Sequence, residues 1–197
     1  MKIAYIRPYE GELELISSLG TPHEFIASED VMEIGEAVRA EIEVLSVFVD
    51  TPVTTEIMDA LPNLKMIAAR YAGFDHIDVA TATERGIVVA RVPHYGARTV
   101  AEYAIALMFA LSRNAFRSYT DLQRNAGVAN LEAYEGFDLF GKTLGVVGTG
   151  NIGRSVCQIA RGIGMEVVAY DLAPDQAFAK EVDMTYADLD HVLSQAD

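Results

Sequence analysis

The chain has 197 residues, 51% of them hydrophobic and 22% charged, with a net charge of −14. That length supports one large domain or two small ones with a real core, and the composition excludes a disordered polypeptide. The acidic balance argues against nucleic acid and anionic membrane as partners, since both would repel it. The single cysteine, Cys157, excludes an intrachain disulfide and reads as a buried structural thiol in a protein of the reducing cytoplasm.

The first residues read as a strand followed by acidic positions, without the pattern of a signal peptide. The longest apolar stretch, residues 103–111, is far shorter than the roughly 18 residues that a membrane span needs. Short apolar runs at residues 2–7, 23–27, 42–49, 65–69 and 87–92 are predicted strands, separated by helical or loop segments. Their alternation predicts a parallel sheet in a flavodoxin-like α/β domain over residues 1–98. Within it Gly35 interrupts the helical pattern of residues 30–43. Asp78 stands where an N-cap is wanted before a helix over 79–85, and Gly86 where that helix should end.

A second domain is expected over residues 99–197. Thr99-Val100-Ala101-Glu102 reads as a capping box, in which hydroxyl and carboxylate satisfy each other's free amides. The helix it would open is apolar nearly all round to Leu111 and then polar through Arg113, Arg117, Asp121 and Arg124. Such a helix should be buried between two domains at its start and exposed towards its end. Residues 125–136 read as a loop.

The pattern richest in chemistry comes late. Gly148-Thr149-Gly150-Asn151-Ile152-Gly153 lies between an apolar run at 143–147 and a helical stretch, and a second strand over 166–171 ends in Asp171. Strand, glycine turn, helix, strand and acid together form a dinucleotide-binding unit, which the glycine pattern alone would not specify. One glycine allows the tight turn, one the close approach of backbone to a pyrophosphate, and one the packing of helix on strand. The helix start offers free N–H groups and the positive end of its dipole to phosphate. Asp171 would accept hydrogen bonds from an adenosine ribose and repel a 2′-phosphate. The following Leu172-Ala173-Pro174 supplies no arginine to welcome one. The cofactor expected is therefore NAD. Without a ligand the same residues would be a glycine-rich turn and no more.

Several motifs in register extend this reading. Tyr71-Ala72-Gly73-Phe74-Asp75-His76-Ile77-Asp78, Val92-Pro93-His94-Tyr95-Gly96, residues 99–102, and Gly141-Lys142-Thr143-Leu144-Gly145 running into the glycine turn resemble the D-isomer-specific 2-hydroxyacid dehydrogenases. The resemblance implies hydride transfer between NAD(H) and a small 2-hydroxy or 2-oxo acid. It implies that the amides of Ala72 and Gly73 bind the substrate carboxylate, that Tyr95 touches substrate or cofactor, and that Val100 lies against the nicotinamide. Read without it, 71–75 is a plain turn in which Asp75 caps local amides, Tyr95 a boundary aromatic and Val100 a core valine. The resemblance further implies a homodimer of the full-length parent.

The family's proton-transfer set, an Arg with a His–Glu pair, comes from segments beyond the first half of a Rossmann domain, and nothing here matches it. His23, His76, His94 and His191 have no carboxylate at a spacing that would orient an acid–base pair, and no cluster has metal-ligand spacing. The expectation is a chain truncated within its NAD-binding domain and inactive alone, its first nucleotide-binding strand left at a sheet edge. The alternative is a non-catalytic, NAD-responsive binding module.

Overall fold

A computed structural model describes residues 1–124 and 131–197. The chain divides into two compact units, Met1–Tyr95 and Gly96–Asp197.

In the first unit β1 (Lys2–Ile6), α1 (Glu12–Ser18), β2 (Glu24–Ser28), α2 (Glu36–Arg39), β3 (Ile42–Val47), α3 (Thr55–Asp59), β4 (Met66–Ala69), α4 (Val79–Glu84) and β5 (Val88–Ala90) follow one another. All five expected strands are present. They pair in parallel in the order β2-β1-β3-β4-β5, the flavodoxin-like order. Ala4, Ile6, Leu45, Val47 and Ile67 are fully buried on these strands. Each such Ile, Leu or Val removed from water contributes about 1.5–3 kcal/mol.

The segment around Gly35 resolves into two short pieces. Asp30 caps a 3-10 turn, Val31–Glu33, by accepting from the Met32 N–H at 2.7 Å, and Gly35 then begins α2. Asp78 caps α4 as expected, accepting from the Thr81 N–H at 3.0 Å, and Gly86 leaves that helix with φ +68°.

The second unit runs α5 (Ala97–Ser112), α6 (Ala115–Arg124), a 3-10 turn at Leu131–Tyr134, β6 (Thr143–Val147), α7 (Asn151–Gly162), β7 (Glu166–Tyr170), α8 (Gln176–Val182), β8 (Thr185–Tyr186) and α9 (Leu189–Gln195). Its sheet is parallel in the order β6-β7-β8, which places β6 at an edge. Here α9 packs closely: a Cβ on Gly145 of β6 would lie 2.9 Å from the Ala196 Cβ and 3.1 Å from the Val192 Cγ1. Asp197 then holds the start of β6, its carboxylate accepting from the Thr143 N–H at 2.8 Å and pairing with the Lys142 ammonium at 2.9 Å.

Three expectations are corrected in this unit. The capping box does not form, because α5 begins at Ala97 after Gly96, which places Thr99 and Glu102 inside the helix. Arg98 takes the Glu102 carboxylate at 2.8 Å, one turn apart. The long helix is also interrupted, since Asn114 takes φ +51° and donates to the Glu135 carbonyl at 3.0 Å. Finally, α5 is not buried all round at its start. Ala101 and Ile105 are buried, while Val100, Tyr103, Leu107 and Leu111 stay exposed. Of the expected loop 125–136, residues 125–130 lie outside the described residues.

Cys157 is buried in the second core with Val146, Ala160, Val167, Ala169 and Phe178. Burial disfavours its thiolate and pushes its pKa up to about 11. An aromatic disulfide reagent at pH 8 should therefore leave the native thiol unmodified and titrate one thiol after denaturation. Rapid reaction of the native chain would contradict this burial.

Candidate functional site

The second unit brings the glycine turn and Asp171 together. Gly148 leaves β6 with φ +92°, a left-handed conformation that glycine adopts without strain. Its N–H donates to the Tyr170 carbonyl at 2.7 Å, which ties the turn to the end of β7. Gly153, in the first turn of α7, shows the closest approach. A Cβ there would stand 2.0 Å from the Gly148 carbonyl oxygen, an impossible contact, so any side chain must push the helix off the turn. A Cβ at Gly148 or Gly150 would instead meet open space, so this face of the turn is bare backbone.

No side chain caps α7. Its first intrahelical bond runs from the Arg154 N–H to the Gly150 carbonyl at 2.9 Å, so the amides of Asn151, Ile152 and Gly153 precede the ladder. Free donors and the positive helix end therefore face the bare backbone, a setting that suits an anion.

Asp171 is held from two directions. The N–H and hydroxyl of Thr149 donate to its Oδ2 at 2.6 and 2.9 Å, and the Ala173 N–H donates to its Oδ1 at 2.9 Å. The Ala173 amide, then the amide and hydroxyl of Thr149, hold the carboxyl below the usual carboxylate range, so it is ionised and purely an acceptor at neutral pH. Because the buried Thr149 gives its one hydroxyl proton to Asp171, it must accept from the Tyr186 hydroxyl 2.7 Å away. Two donors fill Oδ2 and one occupies Oδ1, which leaves Oδ1 with a free lone pair. These residues fit a dinucleotide: bare backbone and helix amides for the diphosphate, an ionised acceptor for a ribose hydroxyl.

Spacing did not disclose two parts of this arrangement. The Tyr186 hydroxyl reaches Thr149 only because β8 pairs with β7. Leu172-Ala173-Pro174 supply no arginine, as expected, but Arg154 approaches from another element. From the first turns of α7 it donates to the Thr149 carbonyl at 3.2 Å and pairs with Asp175 at 2.7 Å. Its position directly after the third glycine was the available signal.

In the first unit β4 delivers Tyr71 into the turn containing Ala72 and Gly73. Tyr71 is buried, its ring edge-on to Phe48, its hydroxyl bonded to the His76 ring. Arg91 donates to the Ala72 carbonyl at 2.6 Å, and the Val92 N–H donates to the Tyr71 carbonyl at 3.0 Å. Among the described residues neither the Ala72 nor the Gly73 amide has a backbone acceptor, and Asp75 caps no amide. The turn is thus fixed through its carbonyls and leaves its donors available. Tyr95 is exposed at the end of this unit and Val100 is half exposed on α5. His76 loses basicity through burial.

The D-isomer-specific 2-hydroxyacid dehydrogenase catalytic domain matches residues 9–189 of this sequence. The chain belongs to that family. It is 36% identical over its whole length to the 2-hydroxyacid dehydrogenase homolog 1 of Schizosaccharomyces pombe, of which it covers 60%. It is 38% identical, over 94% of its length, to the hydroxypyruvate reductase of Thermotoga maritima, of which it covers 56%. The solved structure of D-lactate dehydrogenase from Aquifex aeolicus, complexed with NAD and lactic acid, superposes with a TM-score of 0.87 at 30% identity. That comparison covers 100% of this chain and 59% of the other. The chain thus spans no more than about 60% of the length of these relatives. No helix among the described residues is long and apolar enough to cross a membrane.

Two measurements check this geometry. Gly153→Ala should destabilise the chain by about 3 kcal/mol, because backbone rather than a flexible side chain stands in the way; an unchanged thermal midpoint would refute the close approach. His76, depressed when folded, binds its proton more readily unfolded, so its contribution is constant above its unfolded pKa and turns unfavourable as pH falls below it. Melting curves at pH 7.5 and 5.5 should therefore diverge less for His76→Gln than for the native chain, and equal divergence would exclude His76 as a source.

Proposed function

We propose that the chain is the substrate-binding unit and half of the cofactor-binding unit of an NAD-dependent D-2-hydroxyacid dehydrogenase. The observation that carries this reading is the meeting of the glycine turn with an ionised Asp171 through Thr149. NAD, when bound, supplies hydride exchange at its nicotinamide with C2 of a small 2-hydroxy or 2-oxo acid. The amides of Asn151, Ile152 and Gly153 hold the diphosphate. Asp171 accepts from the adenosine ribose through Oδ1, and its charge disfavours a 2′-phosphate. Gly148, Thr149 and Gly150 supply the bare backbone that lets the diphosphate approach, and Val100 is assigned to the nicotinamide. In the other unit the amides of Ala72 and Gly73 hold the substrate carboxylate, with Tyr95 beside substrate or cofactor.

The family's proton-transfer Arg, Glu and His find no match in these residues. We therefore infer that the 197-residue chain binds NAD weakly and does not turn over 2-oxo acids by itself. A non-catalytic, NAD-responsive module would share the same cofactor site. The parent protein is inferred to be a cytoplasmic homodimer; the exposed Tyr103 and Leu111 of α5 and Phe116 and Tyr119 of α6 support an apolar association surface.

Fluorescence titration of the 197-residue chain should show NADH binding in preference to NADPH. Asp171→Ala should weaken NADH about tenfold, as expected for hydrogen bonds to a charged group, and narrow the preference. An unchanged preference would remove Asp171 from the ribose site. Oxidation of NADH with pyruvate by this chain would overturn the inference of inactivity.

A further inference from the structure

Arg154 lies near enough to Asp171 to stabilise its charge, yet its guanidinium is paired with a different carboxylate, that of Asp175. Its Nε donates to the Thr149 carbonyl at 3.2 Å, and the N–H and hydroxyl of the same threonine donate to Asp171. One residue therefore separates the guanidinium from the ribose acceptor. The guanidinium lies over the Phe178 ring, 4.7 Å from its centroid, and its Nη2 contacts the Asp175 Oδ2 at 2.7 Å. The Arg154 and Asp175 side chains are 40% and 36% exposed, so solvent and ligand can reach the pair. Solvent screens a partly exposed pair, and the Thr149 carbonyl and Phe178 ring add to what holds the guanidinium beside Asp175.

Asp175 has a second task. Its Oδ1 accepts from the Ala177 and Phe178 N–H groups at 3.0 and 3.1 Å and so caps α8, while Oδ2 faces the arginine. Asparagine caps helices as well as aspartate does. The cap and the charge can therefore be separated by one substitution.

We propose that Asp175, by engaging Arg154, is a second determinant of cofactor choice: it withholds from the ribose site a cation suited to accept a 2′-phosphate. This rests on the NAD reading of the glycine turn and goes beyond it, because it assigns the discrimination to two carboxylates and an arginine instead of Asp171 alone. With Asp175 ionised, the three side chains carry a net single negative charge. With asparagine in its place they carry none, and Arg154 is free to turn towards the ribose while Phe178 still supports it. Arginine is the side chain suited to such a phosphate, through its fork of N–H donors.

The test compares NADH and NADPH binding to the 197-residue chain by fluorescence titration, with circular dichroism as a check on folding. Asp175→Asn should shift the NADPH-to-NADH affinity ratio about tenfold towards NADPH, with less gain at high salt. The further change Arg154→Gln should erase that gain. An unchanged ratio in folded Asp175→Asn would overturn the proposal, and so would a gain that survives loss of the arginine. If Asp175→Asn does not fold, Arg154→Gln alone decides: two carboxylates without their cation should widen the preference for NADH about tenfold, and no change overturns the proposal. Failure of the unsubstituted chain to bind NADH would sink the NAD reading and this inference together, whereas NADH binding with insensitive ratios would sink this inference alone.

Discussion

The carboxylate of Asp171 receives two hydrogen bonds from Thr149, and through them the end of β7 is locked to the glycine turn at the end of β6. Strand pairing alone brings the two ends near, but pairing is indifferent to where the loops beyond it go. The Thr149 bonds select one arrangement. They hold the turn against β7, keep the carboxylate ionised, and orient its remaining acceptor position outward. Tyr186 completes the set by donating to Thr149, so that β8 also contributes to the placement of Asp171. Because Thr149 is buried, leaving any of these groups without its partner would be costly.

Around that lock the backbone does most of the shaping. Gly153 lets α7 sit directly on the Gly148 carbonyl, and the positive φ of Gly148 turns the chain away before a side chain can intervene. A helix docked so closely presents its first amides beside bare backbone. The first unit applies the same economy: the turn after β4 is clamped through its carbonyls by Arg91 and Val92, and its amides at Ala72 and Gly73 find no backbone acceptor among the described residues. In both units a parallel sheet delivers a loop at the carboxyl end of its strands, where α/β folds place their ligands.

Much of this is legible in the sequence because the responsible forces are local. Strands buried in a parallel sheet must be apolar runs, and the seven expected strands are found close to where those runs lie, whereas the two-residue β8 had no such run to announce it. Asp78 and Gly86 delimit α4 because a cap needs only its own neighbours. The failures arise where a competing partner decides. Thr99 and Glu102 fit a capping box in composition, but Arg98 is one turn from Glu102 and the helix starts earlier, at Ala97. Asn114 breaks a helix that periodicity would continue, since its side chain reaches a carbonyl 21 residues away in sequence. Among the residues proposed for the cofactor, the glycines and Asp171 stand out by spacing. Tyr186, Arg154 and Asp175 do not, because their roles depend on which strands and helices pack together.

The central claim is that residues 148–153 and Asp171 form one nucleotide-binding surface. The most direct measurement is a map of backbone amide shifts of the 197-residue chain on titration with NAD. The account predicts perturbations concentrated at Gly148, Gly150, Asn151, Ile152, Gly153 and the Asp171–Ala173 amides, saturating together. Saturable shifts elsewhere with these amides unmoved, or no shifts at millimolar NAD, would contradict it.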